Sequence, residues 1–336
     1  MKNFTHNRVA FAVTAGTMFI INMIPQAHAQ VAGTSRVAAW KDDKKSAFLI
    51  MLDDSIPTDI NVVIPELQKR NLTATFYINP ATTHYQKAKD QWEKELPALH
   101  GVVYGNHTMD HQGLKDFATA DADLAQVNAI ILKAFPGKEP RLISFAKPGV
   151  GKDKWTITDE DYQKALAKNN LIAREPATGL NAAQFNNLKT AEGMLAIVDQ
   201  GIAKGHVRSI LFHGVGGDWL VTPTDVFTAF LDGLVAKKDQ VWITDHISAH
   251  KYETERKTAK VNVLESAPKK IRLELKDEAD DQLYDFPLTL ITDVPADWKK
   301  VQVTQGATKT TVAPTDGKIQ FDALPNSEAI TLQPAA

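Results

Sequence analysis

From Ser46 to about Tyr252, short apolar runs alternate with stretches whose apolar residues recur every three or four positions. SAFLIMLDD is a continuous apolar run with a polar end, the pattern of a strand buried on both faces. NVVIPELQKRN has helical spacing, and TATFYI, β-branched and aromatic, predicts the next strand. The alternation continues through helix DQWEKELPAL, strand GVVYGN, helix DLAQVNAIILKAF, strand RLISFAKPG, helix DEDYQKALAKNN and strand LIAREP. Helix KTAEGMLAIVDQGIAKG, strand SILFHG, helix TPTDVFTAFLDGLVAKK and strand QVWITDHIS complete it. Seven or so such units in series predict α/β architecture with a parallel sheet closed as a (β/α) barrel. TPTDV predicts a helix start with Thr222 or Thr224 as N-cap and Pro223 in the first turn. An open doubly wound sheet is the alternative. No GxGxxG follows the first strand, which weighs against it.

After about Arg256 the texture changes. KVNVLES, KKIRLELKD, PLTLITDV, KKVQVTQG, TKTTVAP, GKIQFDAL and EAITLQP are short alternating runs separated by turn residues. Ile271, Leu273 and Leu275 share one face. This predicts a small antiparallel β-sandwich over 256–336, following a barrel over 30–255, with HKYETERKTA as the junction. The sandwich reads as a structural cap or as a carbohydrate-binding module. Trp298 is its single Trp and no aromatic row is visible, which favours the cap.

The first residues do not fit either pattern. Lys2 and Arg8 with no acid, then AFAVTAGTMFIINMI, then PQAHAQ, predict an export leader over residues 1–29, cut after Ala29. The apolar run is short for a membrane span and is broken by Thr14, Gly16, Thr17 and Asn22. Cleavage leaves 307 residues and takes the formal net charge from −2 to −4. The expected product is periplasmic or extracellular, with no stable membrane insertion. A weakly acidic chain of mixed charge shows no basic footprint for nucleic acid. The absence of cysteine removes thiolate nucleophiles, Cys-based zinc sites and lipid acylation at the cleavage site. Oligomeric state is not legible.

In parallel barrels, chemistry gathers at the carboxyl ends of the strands. Those ends here carry Asp53 and Asp54 in LDDS, His107 and His111 in GNHTMDH, the segment FAKPGVG, and His213 in LFHGVGGDW. One Asp and two His form a three-ligand site with open positions, suited to Zn²⁺ or a similar divalent ion. Neighbouring carboxylates on a strand point apart, but at a strand end one can ligate while the other swings toward bound water as base. His213, from another strand, could protonate a leaving group. Backbone N–H groups of the glycine-rich 149–151 turn, Gly149 first, could hold an oxyanion.

These residues resemble the polysaccharide deacetylases, the NodB-homology fold of carbohydrate esterase family 4. The family's Thr-Phe-Asp-Asp-Gly resembles Met51-Leu52-Asp53-Asp54-Ser55. Its His-[Ser/Thr]-x-x-His is met by His107, Thr108, Met109, Asp110 and His111, and its Leu-x-His by Leu211, Phe212 and His213. The resemblance covers about residues 46–252. It implies a distorted (β/α)7 barrel, Asp53 as general base, and Asp54, His107 and His111 as ligands of zinc, with cobalt, nickel or manganese as alternatives. It further implies His213 as general acid, Leu211 lining a small acetyl pocket, and Thr108 steadying the histidine loop.

The sequence departs from the family in two places. The third motif carries Ala146 where Arg stands, so orientation of Asp53 falls to Lys147 or another cation. The Asp that tunes the catalytic His is not evident. Glu175 and Asp245 are candidates, though a surface salt bridge is the plainer reading of Glu175. Trp155 and Trp219 follow motif segments and are candidate sugar-stacking residues, with ordinary packing as the alternative. His84, His100, His206, His246 and His250 read as surface or satisfied core histidines. The resemblance thus implies an exported metal-dependent enzyme removing N- or O-acetyl groups from an acetylated glycan. An amide or cyclic-imide hydrolase of the same fold, and a non-catalytic carbohydrate-binding protein, are the alternatives.

Overall fold

Seven parallel strands make the larger sheet: β2 (Ser46–Asp53), β3 (Ala74–Ile78), β4 (Val102–Asn106), β5 (Ile143–Phe145), β6 (Leu171–Ala173), β7 (Arg208–Phe212) and β8 (Val241–Thr244). The computed structural model describes Met1 and residues 32–174 and 189–335. The expected leader, Met1 apart, and Glu175 lie outside the described residues. The ladder runs β6-β5-β4-β3-β2-β7, with β8 against the first half of β2. Among the described residues β6 and β7 share no ladder, so the sheet is a curled, open (β/α)7 barrel.

Each inner strand is apolar on both faces, and alternation divides the two jobs. Phe48, Ile50 and Leu52, then Phe76, Ile78, Tyr104, Phe145, Ile210 and Phe212, face the outer helices in one large core. Leu49, Met51, Tyr77 and Ala146 point inward and meet Leu211 in a small inner cluster. By the same parity Asp53 closes the inward row of β2, and His107, Arg174 and His213 continue the inward rows just past the ends of β4, β6 and β7. Gly105 is required in its row: a Cβ there would lie 2.5 Å from the Tyr77 ring.

Among the described residues the α-helices are α1 (Ile64–Arg70), α2 (Thr83–Lys87), α3 (Phe117–Ala134), α4 (Asp159–Lys168), α5 (Ala191–Lys204), α6 (Thr224–Val235) and α7 (His246–Thr258). Two local expectations are corrected. Pro223, rather than either threonine, is the N-cap of α6, with no side-chain cap, while Thr222 bridges to Val215. The stretch expected to finish the last strand and form the junction is instead α7, which Asp245 caps through Ser248 N–H.

The seven expected C-terminal strands form, with β1 (Ser35–Val37), two antiparallel sheets. β9 (Lys260–Ala267), β10 (Lys270–Lys276), β12 (Val301–Gln305), β13 (Thr308–Val312) and β15 (Ile330–Pro334) form one. β1, β11 (Leu288–Asp293) and β14 (Lys318–Ala323) form the other. The strand β1 belongs to the barrel side by sequence position, yet it pairs with β11. Ile271, Leu273 and Leu275 fill the shared core, which extends to Trp40, Ala47 and Tyr252. Ala47 lies at the start of β2, about 20 Å of strand away from Asp53. The sandwich therefore packs on the end of the barrel remote from the site. Trp298 is buried, its indole N–H donating to Pro268 O at 3.1 Å, so it offers no sugar platform.

One contact in this packing carries a pH dependence. Glu255 of α7 is buried and accepts the Phe286 N–H on both oxygens, at 3.1 and 3.2 Å. Burial, reinforced by Asp277 and Asp285, pushes its carboxyl up to about 8. A raised acid pKa means the folded chain holds a proton that the unfolded chain has lost, so this contribution to stability is full below about pH 4.5 and lost as pH rises toward 8. Glu255→Gln keeps an acceptor without the charge. Its stability relative to the parent should climb with pH across that window, by on the order of 2 kcal/mol. Melting curves from pH 5 to 9 check this. A pH-independent difference would refute it.

Candidate active site

Asp53 and Asp54 leave β2 together but with different backbones. Asp53 ends the extended strand, whereas Asp54 has φ 79° and Ser55 has φ 51°, both left-handed. The reversal turns Asp54 toward the same opening that Asp53 faces, which regular alternation forbids. Ser55 stands where the family carries glycine, the residue that adopts this φ without strain. Its hydroxyl accepts the Asn79 N–H at 3.2 Å, so the serine braces β2 against β3.

The histidine loop is also left-handed at two points, Thr108 (φ 64°) and His111 (φ 60°). Non-glycine residues hold such conformations only where surroundings fix them. Here Asn79 donates to the carbonyls of His107 and Thr108, Asn106 accepts the Thr108 N–H, and Asp123 of α3 accepts the Met109 N–H. The Thr108 hydroxyl, expected to steady the loop, is buried with no hydrogen-bond partner among the described residues; the asparagines do that work through its backbone.

Asp54, His107 and His111 each present a ligand atom, all within 4.8 Å of one another. His107 Nε2 lies 3.5 Å and His111 Nε2 3.4 Å from Asp54 Oδ1. His107 Nδ1 lies 2.8 Å from the Ala146 carbonyl, a contact only an N–H can make. That fixes the tautomer and leaves Nε2 as a buried lone pair with no hydrogen-bond partner. Burial alone would lower the His107 pKa, but Asp53 and Asp54 outweigh it and hold it above the ordinary value. His111, partly exposed, is pushed down by burial and by His107. An orphaned imidazole nitrogen facing two converging carboxylates is a cation site, and one carboxylate with two imidazoles fits a divalent ion.

Asp53 is oriented by a cation, but not by Lys147, whose ammonium instead lies 4.3 Å from the Trp155 ring centroid. Arg174, at the inward position after β6, binds Asp53 in a fork: Nη1 to Oδ1 at 2.7 Å and Nη2 to Oδ2 at 3.2 Å. Both are buried. Burial would raise the Asp53 pKa; Arg174, His107 and His213 reverse this and bring it down to about 2. Arg174 lies 4.6 Å over the Tyr77 ring, and the Tyr77 hydroxyl meets Ser144 Oγ at 2.8 Å. Ser144 in turn meets His246 Nδ1 at 2.6 Å, so His246 is a satisfied core histidine beneath the clamp. Sequence reading missed Arg174. Its signal was available: a basic residue directly after the short apolar run Leu171–Ala173, at the barrel mouth.

His213 follows β7, with Nε2 3.7 Å from Asp54 Oδ2, across the opening from the histidine loop. Asp245, a candidate to tune it, serves as the α7 cap. The buried carboxyl of Asp59 is held well above the usual range by burial and by Asp54 and Asp53, which disfavours a third negative charge here. Leu211 is half-buried in the inner cluster. Gly149 is exposed, and a Cβ there meets nothing within 4 Å. Trp155 is half-buried between Lys147 and Tyr162. Trp219 is 63% exposed on a loop that closes on itself through Gly214 N–H to Trp219 O at 2.7 Å. A Cβ on Gly214 would lie 2.0 Å from Gly217 O, so the loop needs glycine there. The loop is tied to the turn after Asp54 by Thr58 N–H to Asp218 at 3.0 Å.

Residues 41–166 match the family model described as polysaccharide deacetylase. A gellan lyase from a Bacillus species is 24% identical over 93% of this chain, and the chain spans only 14% of that protein's length. Among solved structures, a family 4 carbohydrate esterase from Streptomyces lividans with acetate bound is 16% identical (TM-score 0.43), covering 62% of this chain and 95% of that one. A family 4 pseudoenzyme from Bacillus anthracis is 13% identical (TM-score 0.40), covering 60% and 69%. The family match falls on the residues that build the aspartate pair and the histidine loop, so it is residues 41–166, and the site they carry, that are similar to the polysaccharide deacetylase family.

Proposed function

We propose that this chain is an exported, divalent-metal-dependent deacetylase that hydrolyses N- or O-acetyl groups on a polysaccharide or oligosaccharide. The observation that carries the reading is the convergence of Asp54, His107 and His111 beside the Arg174-clamped Asp53, with His213 opposite. A divalent ion held by those three ligands would act as a Lewis acid and lower the pKa of bound water, which lets a carboxylate as weakly basic as Asp53 serve as proton acceptor. Zinc suits the donor set, and Co²⁺, Ni²⁺ or Mn²⁺ can replace it.

The protein's own groups divide the remaining work. Asp53, held charged and fixed in two bonds by Arg174, orients the attacking water and takes its proton. His213 returns a proton to the leaving alcohol or amine. The backbone at Gly149 faces the developing oxyanion. Leu211 bounds the space left for a methyl group, and Trp219 and Trp155 border the glycan. The intact base clamp favours catalysis over a purely binding role, because a binding protein has no use for an aspartate held charged by a buried guanidinium.

The mature chain should release acetate from acetylated xylan or chitooligosaccharides, lose that activity to a chelator, and regain it with Zn²⁺ or Co²⁺. Asp53→Asn should stop turnover with the metal still bound. Loss of the metal in that variant would reverse the two aspartate roles. No acetate from a full panel of O- and N-acetylated glycans would remove the reading.

A further inference from the structure

A cleft of about 320 Å³ opens beside Ser55, one residue from the ligand Asp54. The turn after β2 supplies one wall, with Pro57 and Ile60. The other wall is α2 and the residues after it, presenting His84, Lys87 and Gln91. That wall is anchored. Tyr85 is buried and stacks on Trp92 at 5.9 Å, which leaves His84 and Lys87 on the outer side. Its lead-in is tied to the histidine loop by Ala81 N–H to Met109 O at 2.7 Å. The cleft and the metal ligands are therefore held in one frame.

The charge pattern of this cleft is opposite to that of its neighbour. The centre next door holds Asp53 and Asp54, and the whole chain is net negative, yet among the described residues no carboxylate lines the cleft. Nearby surface lysines are paired, Lys94 with Asp90 at 2.8 Å and Lys89 with Glu93 at 3.7 Å. Lys87 forms no ion pair among the described residues. A basic group left open beside amide and imidazole donors, facing an apolar wall, matches a pyranose ring that carries a carboxylate.

We propose that this cleft is a subsite for a carboxylate-bearing sugar next to the acetylated residue, with Lys87 and His84 on the carboxylate and Pro57 and Ile60 against the ring. The substrate class is then an acidic acetylated glycan. This rests on the deacetylase reading, and the test separates the two. The probes are acetylated glucuronic-acid oligosaccharides and the same oligosaccharides with the carboxyl reduced to an alcohol, assayed for acetate with the full chain. Their deacetylated forms, which cannot turn over, are titrated by calorimetry.

The acidic form should bind about fivefold more tightly and show a KM lower by the same factor, with the preference shrinking in high salt. Lys87→Gln should bring the ratio of the two affinities to about one, and Lys87→Glu should invert it. A parallel arm with a lactyl-ether amino sugar shows whether the carboxylate belongs on the ring or on an ether arm. Equal affinity for acidic and reduced forms, or a preference that survives Lys87→Gln, overturns the subsite. Acetate released equally from both leaves the deacetylase reading standing without the subsite. A Lys87-dependent preference with no acetate released does the reverse.

Discussion

His107→Ala should strip the divalent ion and cut acetate release by roughly a thousandfold or more, the largest effect of any single ligand change. The reason is geometric. His111 sits at the open side of the cluster, with its side chain 30% exposed and its Nε2 3.4 Å from Asp54 Oδ1. His107 is fully buried, and its Nε2 lies within 3.7 Å of both carboxylates. Its other nitrogen is fixed by Ala146 O, so the lone pair cannot turn away. His111→Ala should therefore weaken metal binding by about ten- to a hundredfold, while His107→Ala abolishes it. Metal content after dialysis, read beside far-UV dichroism, separates metal loss from unfolding. A folded His107→Ala protein that still holds one equivalent of metal would falsify the ligand assignment.

The parts of this site that were legible in the sequence are those whose spacing is local. His107 and His111 lie one loop apart, and the aspartate pair ends a run too apolar to be anything but a buried strand. The face each residue takes was less visible, because AFLIML is apolar at every position and shows no alternation to read. Only the packed structure separates Phe48, Ile50 and Leu52 from Leu49 and Met51. The fold class followed from the strand–helix rhythm, and the sandwich from its period-two runs. The stretch after Thr244 was misread because HISAHKYETERKT is polar nearly throughout; its helix is specified by the Asp245 cap, by packing of Tyr252 in the sandwich core and by the bond of Glu255 to Phe286 N–H ahead of β11. The network beneath Asp53 had no sequence signal beyond the basic residue that ends β6. Tyr77, Ser144, Arg174 and His246 come from four separated stretches, and only the barrel brings them together.

Arg174 is the most consequential of these, and removing it should be costly in two ways. Arg174→Met leaves the Asp53 carboxylate buried without its counter-ion, a change of about 3–5 kcal/mol where no relaxation is possible. It also releases the base from its two-point hold, so acetate release should fall by roughly a hundred- to a thousandfold even in folded protein. The charge and the geometry can be told apart. Arg174→Lys restores a cation but not the planar fork, so stability should recover more than turnover. Asp53 is now held near 2 against the pull of burial, chiefly by Arg174. Without it the carboxylate regains a proton more readily, and the acidic limb of the rate profile should move to higher pH, a shift that a merely structural role would not produce. The family pattern suggests a rescue. Ala146 occupies the inward position after β5, where the third motif it resembles has arginine, fully buried beside Tyr77. Ala146→Arg in the Arg174→Met background puts a guanidinium back from the neighbouring strand, and should recover at least about tenfold of the lost activity and return the acidic limb toward its original place. If the double variant is no better than Arg174→Met, the two positions are not interchangeable supports for Asp53. If Arg174→Met alone keeps its turnover and its pH profile, the clamp has no part in the chemistry.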